Sequence, residues 1–181
     1  MKAFDYFPLY FETIFQRVKS IDSAELEKAA KMVSVAHQKG KKIVIVGNGG
    51  SAAMASHVTV DFTKAAGIRA INFNEADLIT CFANDYGYEQ WVAKALEAYA
   101  DKGDLAILIS SSGKSQNIIN ATEKATEIGL STITLSGFFK ENPLKKSGDL
   151  NLWVDSCEYN VIEMTHHIWL LAIVDYLIEN K

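Results

Sequence analysis

Two segments rich in glycine and serine carry residue types that bind anions. The first, at residues 47–52, has the sequence Gly-Asn-Gly-Gly-Ser-Ala, and the second, at residues 110–117, has the sequence Ser-Ser-Ser-Gly-Lys-Ser-Gln-Asn. Glycines let backbone N–H groups approach an anion, and the N-terminus of a following helix adds positive potential there. A helix N-cap needs only one hydroxyl, so the four serines of the second segment predict a phosphate-binding turn.

Two nucleotide-binding motifs match these segments only in part. Gly113-Lys114-Ser115 has the form of the end of a nucleoside-triphosphate loop, but that loop needs a glycine where the chain has Leu108. Residues 47–52 formally fit a dinucleotide fingerprint, but Glu75 is only loosely placed for its acidic partner. The sequence therefore disfavours a nucleotide cofactor.

Histidines and carboxylates form two pairs with helical spacing. His57 precedes Asp61 by four residues, and Glu163 precedes His167 by four, with His166 adjoining. Residues four apart share one face of a helix. Each pair alone fits a polar helix face with local hydrogen bonds. Together they fit a zinc site with nitrogen and oxygen ligands, or a group that moves a proton between neighbouring carbons.

The elements that must position these residues alternate along the chain. Two helical patterns at residues 6–18 and 23–38 come first, and short apolar strands then alternate with helices up to a final helix at residues 159–180. This alternation predicts an α/β fold in which helices cover both faces of a parallel sheet of about five strands. We expect one domain over residues 1–181, with residues 1–40 as an N-terminal helical arm whose aromatic residues favour a homo-oligomer.

Composition excludes several classes of protein. The chain has 181 residues, of which 49% are hydrophobic and 22% charged, with a net charge of −4. These values are typical of a globular domain with a real core, and no basic cluster indicates nucleic-acid binding. No apolar stretch approaches the roughly 20 residues that cross a bilayer, and the N-terminal segment lacks a signal-peptide pattern. Cys81 and Cys157 are too far apart in sequence for a metal-binding pair, so we expect free, buried thiols and a cytoplasmic location.

Four motifs, taken together, resemble those of sugar isomerase (SIS) domains, and among these the phosphoheptose isomerases. They are residues 47–53 followed by His57, residues 84–88 (Asn-Asp-Tyr-Gly-Tyr), the serine segment 110–117, and residues 162–166 (Ile-Glu-Met-Thr-His). The resemblance extends from about residue 6 to 179. It implies a flavodoxin-like three-layer α/β/α sandwich with a five-stranded parallel sheet, assembled as a homotetramer with active sites at subunit interfaces.

The resemblance also implies an activity and the residues that carry it. SIS domains of this kind interconvert a ketose phosphate and an aldose phosphate, here most simply sedoheptulose 7-phosphate and D-glycero-D-manno-heptose 7-phosphate. The residues implied to bind the phosphosugar are Asn48, Gly49, Gly50, Ser51, Asp85, Ser110, Ser111, Ser112 and Ser115. The alternative is a non-catalytic phosphosugar-binding regulator or adaptor, since the replication-initiator-associating protein of bacteria resembles the same family.

The implied catalytic centre departs from the family pattern at four positions. The family has Glu, Gln, Glu and His where this chain has Asp61, Glu163, Met164 and Leu171. Leucine neither binds metal nor carries a proton. His167, one turn earlier, could replace the lost histidine and complete a zinc (Zn²⁺) site of His57, Asp61, Glu163 and His167, with Asp61, Glu163 and His167 as catalytic groups. A metal-free base at Asp61 or Glu163, or loss of catalysis, are the other two hypotheses.

Overall fold

The computed structural model describes residues 3–180. The predicted domain also includes residues 1, 2 and 181, which lie outside the described part. The helices and strands follow in the order α1 (Ala3–Val18), α2 (Ser23–Gln38), β1 (Ile43–Gly47), α3 (Gly50–Lys64), β2 (Ala70–Ile71), α4 (Ala76–Tyr86), α5 (Trp91–Tyr99), β3 (Leu105–Ile109), α6 (Gln116–Glu127), β4 (Ser131–Ser136), α7 (Pro143–Ser147), β5 (Leu150–Trp153) and α8 (Tyr159–Glu179).

The five strands form one parallel sheet in the order β2-β1-β3-β4-β5. This is the strand order of flavodoxin-like folds. Every residue of β1 and β3 is buried, as expected when helices cover both faces of a parallel sheet. The predicted α/β sandwich with a five-stranded parallel sheet is confirmed.

Alternate strand residues divide the core into two layers. Ile43 and Ile45 of β1 pack with α2, α3 and α8, whereas Val44 and Val46 pack with α5 and α6 on the opposite face. Because successive side chains of a strand point to opposite faces, a run of apolar residues serves both layers. The rigid central strands therefore hold the turns at their carboxyl ends in fixed positions.

Two elements differ from the sequence-based expectation. The sequence at residues 68–73 predicts a strand, but β2 contains only Ala70 and Ile71, since the edge strand pairs on one side only. The sequence at residues 142–148 predicts a loop, but this segment contains the one-turn helix α7. The Asn142 side chain caps that helix by accepting a hydrogen bond from Lys145 N (2.9 Å), a local interaction typical of asparagine at an N-cap.

The two N-terminal helices differ in burial. One face of α2 is buried in the core, whereas α1 leaves several aromatic side chains exposed, Phe4 by 89% and Phe11 by 63%. The end of α1 is held to α8, because the Trp169 indole N–H donates to Val18 O (2.9 Å). The expectation that no apolar stretch approaches the length of a membrane span is wrong for α8, which is long and apolar enough by length and composition. The helix packs against α1, α2 and α3, so its place in the core accounts for its apolar character.

Candidate active site

The two predicted anion-binding turns lie side by side in the structure. One follows β1 and the other follows β3, and these strands are hydrogen-bonded neighbours. Along the chain, β2 is added on one side of β1 and β3 on the other side, so the direction in which strands are added to the sheet reverses between β1 and β3. Open α/β sheets bind ligands in the crevice at such a reversal, beyond the carboxyl ends of the strands. The topology therefore brings both turns to the position where a ligand site is expected.

The serine turn after β3 directs its hydroxyls toward one another and leaves the following helix uncapped. Ser110 Oγ donates to Ser115 Oγ (3.0 Å) and accepts from Ser115 N (3.4 Å). Ser115 is the N-cap residue of α6, but its side chain makes no capping hydrogen bond. The positive end of α6 and the serine hydroxyls are thus both available to an anion.

A cavity of about 130 Å³ lies between the two turns and α8. Its lining residues are Asn48, Ser51, Ile109, Ser110, Ser111, Ser112, Ser115, Tyr159 and Glu163. Six of the nine predicted phosphosugar-binding residues are among them, and Gly49 and Gly50 adjoin Asn48 and Ser51 in the chain. No lysine or arginine from residues 3–180 is among the lining residues, so the hydrogen-bond donors around the cavity are neutral hydroxyls, amides and backbone N–H groups.

Asp85 lies away from this cavity in the described chain. Its carboxylate accepts a hydrogen bond from Asn84 Nδ2 (2.9 Å) and contacts Cys81 Sγ (3.9 Å) on the exposed face of α4. The structure of one chain therefore gives Asp85 no contact with the other predicted binding residues.

Glu163 reaches the cavity because Gly50 has no side chain. A Cβ at Gly50 would lie 2.2 Å from Glu163 Oε2. On the other side Glu163 Oε1 accepts a weak hydrogen bond from Ser111 Oγ (3.4 Å). The glycine thus permits a carboxylate from α8 to stand over the start of α3, within reach of a ligand in the serine turn.

Asn117, Tyr88 and Tyr159 were not among the predicted site residues. The Asn48 and Asn117 side-chain amides donate to each other (2.9 Å each), which joins the two turns, and the Tyr88 hydroxyl donates to Asn48 Oδ1 (3.2 Å). Tyr159 lines the cavity from the first residue of α8. The Ser-x-Asn spacing that contains Asn117 and the motif at residues 84–88 that ends in Tyr88 were usable signals, but nothing local in the sequence marks Tyr159.

The two histidine–carboxylate pairs meet through their histidines. His57 Nδ1 on α3 lies 2.9 Å from His167 Nε2 on α8, with the rings at right angles. His57 Nε2 lies 3.3 Å from Asp61 Oδ2. Burial lowers the pKa of His167, the neighbouring His57 lowers it further, and Asp61 opposes the shift. His167 is thus held largely neutral near pH 7, a state in which an imidazole accepts a proton.

The four residues predicted as zinc ligands do not converge on one point. His57 turns one ring nitrogen toward His167 and the other toward Asp61, whereas a single metal ion takes one nitrogen from an imidazole. Glu163 faces Ser111 instead, and Leu171 packs against the core. Within residues 3–180, no group of three or more His, Cys, Asp or Glu side chains is arranged to hold a metal ion. As placed, these residues do not fit a zinc ion.

Comparison with known proteins identifies the family. The model of the SIS domain family matches residues 7–137. The chain belongs to the SIS domain family. Phosphoheptose isomerase from Aliarcobacter butzleri is 36% identical over 176 residues, which cover 94% of this chain and 92% of that protein. The corresponding protein from Fusobacterium nucleatum is 43% identical over 118 residues, covering 62% of this chain and 61% of that protein.

A solved structure agrees with the SIS assignment over the whole chain. The phosphoheptose isomerase from Francisella tularensis superimposes with a TM-score of 0.90 at 28% sequence identity, covering 100% of both chains. The chain is therefore grouped with the phosphoheptose isomerases within the SIS family, as its four motifs predicted. The serine turn of this SIS domain is one of those motifs.

Proposed function

We propose that this SIS domain is an aldose–ketose isomerase that converts sedoheptulose 7-phosphate into D-glycero-D-manno-heptose 7-phosphate. The supporting observation is the cavity between the β1 and β3 turns, where the predicted phosphate-binding serines surround a space that Glu163 also enters. The relatives named phosphoheptose isomerase, matched over nearly the full chain, support this substrate.

The serine turn binds the phosphate end of the substrate. Ser51 and Ser110 are each only 3% exposed and Ser111 only 6%, so their hydroxyls offer hydrogen bonds from a site that excludes most water. Neutral donors at a helix N-terminus are sufficient to bind an anion. Because the hydrogen bonds within the turn already fix the hydroxyls, little ordering is required when the phosphate enters.

The open end of the cavity receives the carbonyl end of the sugar. Aldose–ketose isomerisation needs a base that removes a proton beside the carbonyl, and polar groups that stabilise the resulting enediolate. Glu163 on α8 is the acidic group nearest the serine turn, 3.4 Å from Ser111 Oγ. The proposed role of Glu163 is to orient the hydroxyls of the bound sugar.

We propose a cytoplasmic homotetramer as the working form. The exposed aromatic side chains of α1 provide an apolar surface for other copies of the chain. Asp85 is exposed on α4 and would meet a substrate only across such an interface. Cys81 and Cys157 are free thiols, but both are exposed rather than buried as expected. Exposed free thiols suit a reducing compartment.

The test is turnover of sedoheptulose 7-phosphate by the purified chain and by Ser115→Ala, with Ser131→Ala as the control. Loss of one hydroxyl that binds a charged phosphate costs about 1.5–3 kcal/mol, a rise of roughly 10–100-fold in KM. Ser131 is exposed at the opposite end of the sheet, so its variant should match the parent. A chain that binds the phosphosugar without turnover is instead the non-catalytic regulator or adaptor.

A further inference from the structure

Asp61, His57 and His167 form a continuous chain of polar contacts between α3 and α8. Asp61 Oδ2 lies 3.3 Å from His57 Nε2, and His57 Nδ1 lies 2.9 Å from His167 Nε2. The three side chains come from two helices, α3 and α8, that pack directly against each other. A carboxylate that orients one imidazole, which in turn orients a reactive group, is a recurrent arrangement for activating a base or nucleophile.

The charges along this chain determine where the protons lie. The negative Asp61 favours a proton on the nearer nitrogen of His57, Nε2. His57 Nδ1 then carries a lone pair, so the 2.9 Å contact is a hydrogen bond donated by His167 Nε2–H. His167 Nδ1 is left with its lone pair, and it makes no hydrogen bond to any residue among 3–180. His167 is partly exposed, so a substrate can reach it.

The spacing of Glu163 and His167 along α8 matches the length of a seven-carbon ketose phosphate. Glu163, which contacts Ser111, precedes His167 by one helical turn, and the Cβ atoms of residues four apart on a helix lie about 6 Å apart. The carbon chain from C2 to C7 of an extended heptulose also spans roughly 6 Å, because its five bonds of about 1.5 Å follow a zigzag. A heptulose whose phosphate lies in the serine turn is therefore long enough to extend one turn of α8 beyond Glu163, to the position of His167.

We propose that His167 Nδ1 is the catalytic base of the isomerisation, that His57 and Asp61 are positioning residues that fix its tautomer, and that the reaction in this chain does not depend on zinc. This inference rests on the proposed function. The observation behind it is that the family resemblance implies a zinc site at these side chains, whereas in the structure they point in different directions.

The proton transfers balance within the substrate and this one base. His167 Nδ1 takes a proton from C1, the C1–H electron pair forms the C1=C2 double bond, and the C2 carbonyl pair moves to O2. The imidazolium formed is stabilised through His57 by the negative Asp61. The O1 proton then passes to O2, the C1 carbonyl forms, and the proton on His167 returns to C2. No atom or electron is gained or lost overall.

The decisive experiment measures exchange of the C1 protons of sedoheptulose 7-phosphate with D₂O by NMR. His167→Gln should lower the exchange rate by about 10²–10⁴-fold, the usual contribution of a general base, while the phosphosugar dissociation constant stays within about twofold. His37→Gln is the matched control, because His37 lies exposed near the end of α2. Exchange by His167→Gln at the parental rate overturns the proposal.

Asp61→Asn gives a second variant in case His167→Gln does not fold. This variant should still bind the phosphosugar, but the exchange rate of the C1 protons should fall. In the parent, nitrogen-15 NMR should show both His57 and His167 protonated on Nε2, and the variant should lose this tautomer pattern. A parent in which His167 carries its proton on Nδ1 contradicts the proposal.

Metal dependence separates the failure of this inference from failure of the proposed function. The proposal predicts full exchange after dialysis against a chelator and elemental analysis near zero zinc per chain. Exchange that disappears with the chelator and returns with zinc overturns the inference but leaves the isomerase function standing. If the untreated protein binds the phosphosugar but does not exchange the C1 protons of the sugar, the proposed function is overturned, and this inference with it.

Discussion

The Gly113→Ala variant tests how the serine turn is built. Gly113 has a φ of +66°, and a Cβ there would lie 2.1 Å from Asn142 Oδ1. Asn142 is only 1% exposed; its amide donates to three oxygens, and Oδ1 accepts from Lys145 N. An alanine therefore requires both a left-handed backbone and displacement of a buried, fully hydrogen-bonded side chain.

The cost of these two effects can be separated with a second glycine. Gly40, after α2, has a similar φ of +70°, but a methyl group added there would meet no atom within 4 Å. Left-handed strain alone costs about 1–2 kcal/mol, and disrupting the buried hydrogen bonds adds about 1–3 kcal/mol. The change in unfolded-chain entropy is the same in both variants and cancels. We expect Gly113→Ala to cost about 2–5 kcal/mol and Gly40→Ala about 1–2 kcal/mol.

Thermal and urea unfolding measure this difference. For a chain of this size each kcal/mol lowers Tm by about 2–4 °C, so Gly113→Ala should melt several degrees below Gly40→Ala. Gly113→Ala should also weaken binding of a phosphosugar, since Gly113 lies within the serine turn and the added methyl group displaces either the turn or Asn142, whereas Gly40→Ala should bind normally. Equal losses of stability in the two variants would refute the claim that Asn142 leaves no room for a side chain at position 113.

Two further predictions concern buried ionisable groups. Burial lowers the pKa of His166 to about 4, below the unfolded value of 6.5, so the unfolded chain binds a proton that the folded chain rejects. Folding stability should therefore fall between pH 6.5 and 4 by up to about 1.4 kcal/mol per pH unit, and His166→Gln should flatten this slope in urea titrations. Asp104→Ala should lower the free energy of unfolding by about 3 kcal/mol, because the buried Asp104 carboxylate contacts Lys42 Nζ (2.6 Å) and accepts hydrogen bonds from Lys42 N and Asp101 N. An exposed ion pair contributes at most roughly 1 kcal/mol. An unfolding free energy within about 1 kcal/mol of the parent would therefore contradict this prediction.

Elements fixed by local pattern were predictable from the sequence. The apolar runs of β1 and β3 have few alternatives to buried strands, and the glycines that follow them indicate turns at the carboxyl ends of these strands. All strands of a parallel sheet end at the same edge, so the alternation of strands and helices places residues 47–52 and 110–115 at one edge. Their direct proximity depends on the strand order, in which β1 and β3 are neighbours, and that order was not predictable from the sequence.

The direction of individual side chains was not predictable. Glu163 and His167 lie one turn apart and were expected in one zinc site, but Glu163 turns toward Ser111 and His167 toward His57. Which way each one points depends on the packing of α8 against α3, and on the space left by Gly50. Sequence spacing records which residues share a helix face but carries no information about contacts between helices.

The central claim is that this SIS domain isomerises a ketose phosphate, and proton NMR of sedoheptulose 7-phosphate incubated with the purified chain tests it most directly. The account predicts that the ketose signals decline while the anomeric proton of an aldose heptose 7-phosphate appears, at a rate proportional to enzyme concentration. An unchanged spectrum, from protein whose Tm still rises when the phosphosugar is added, would contradict the claim.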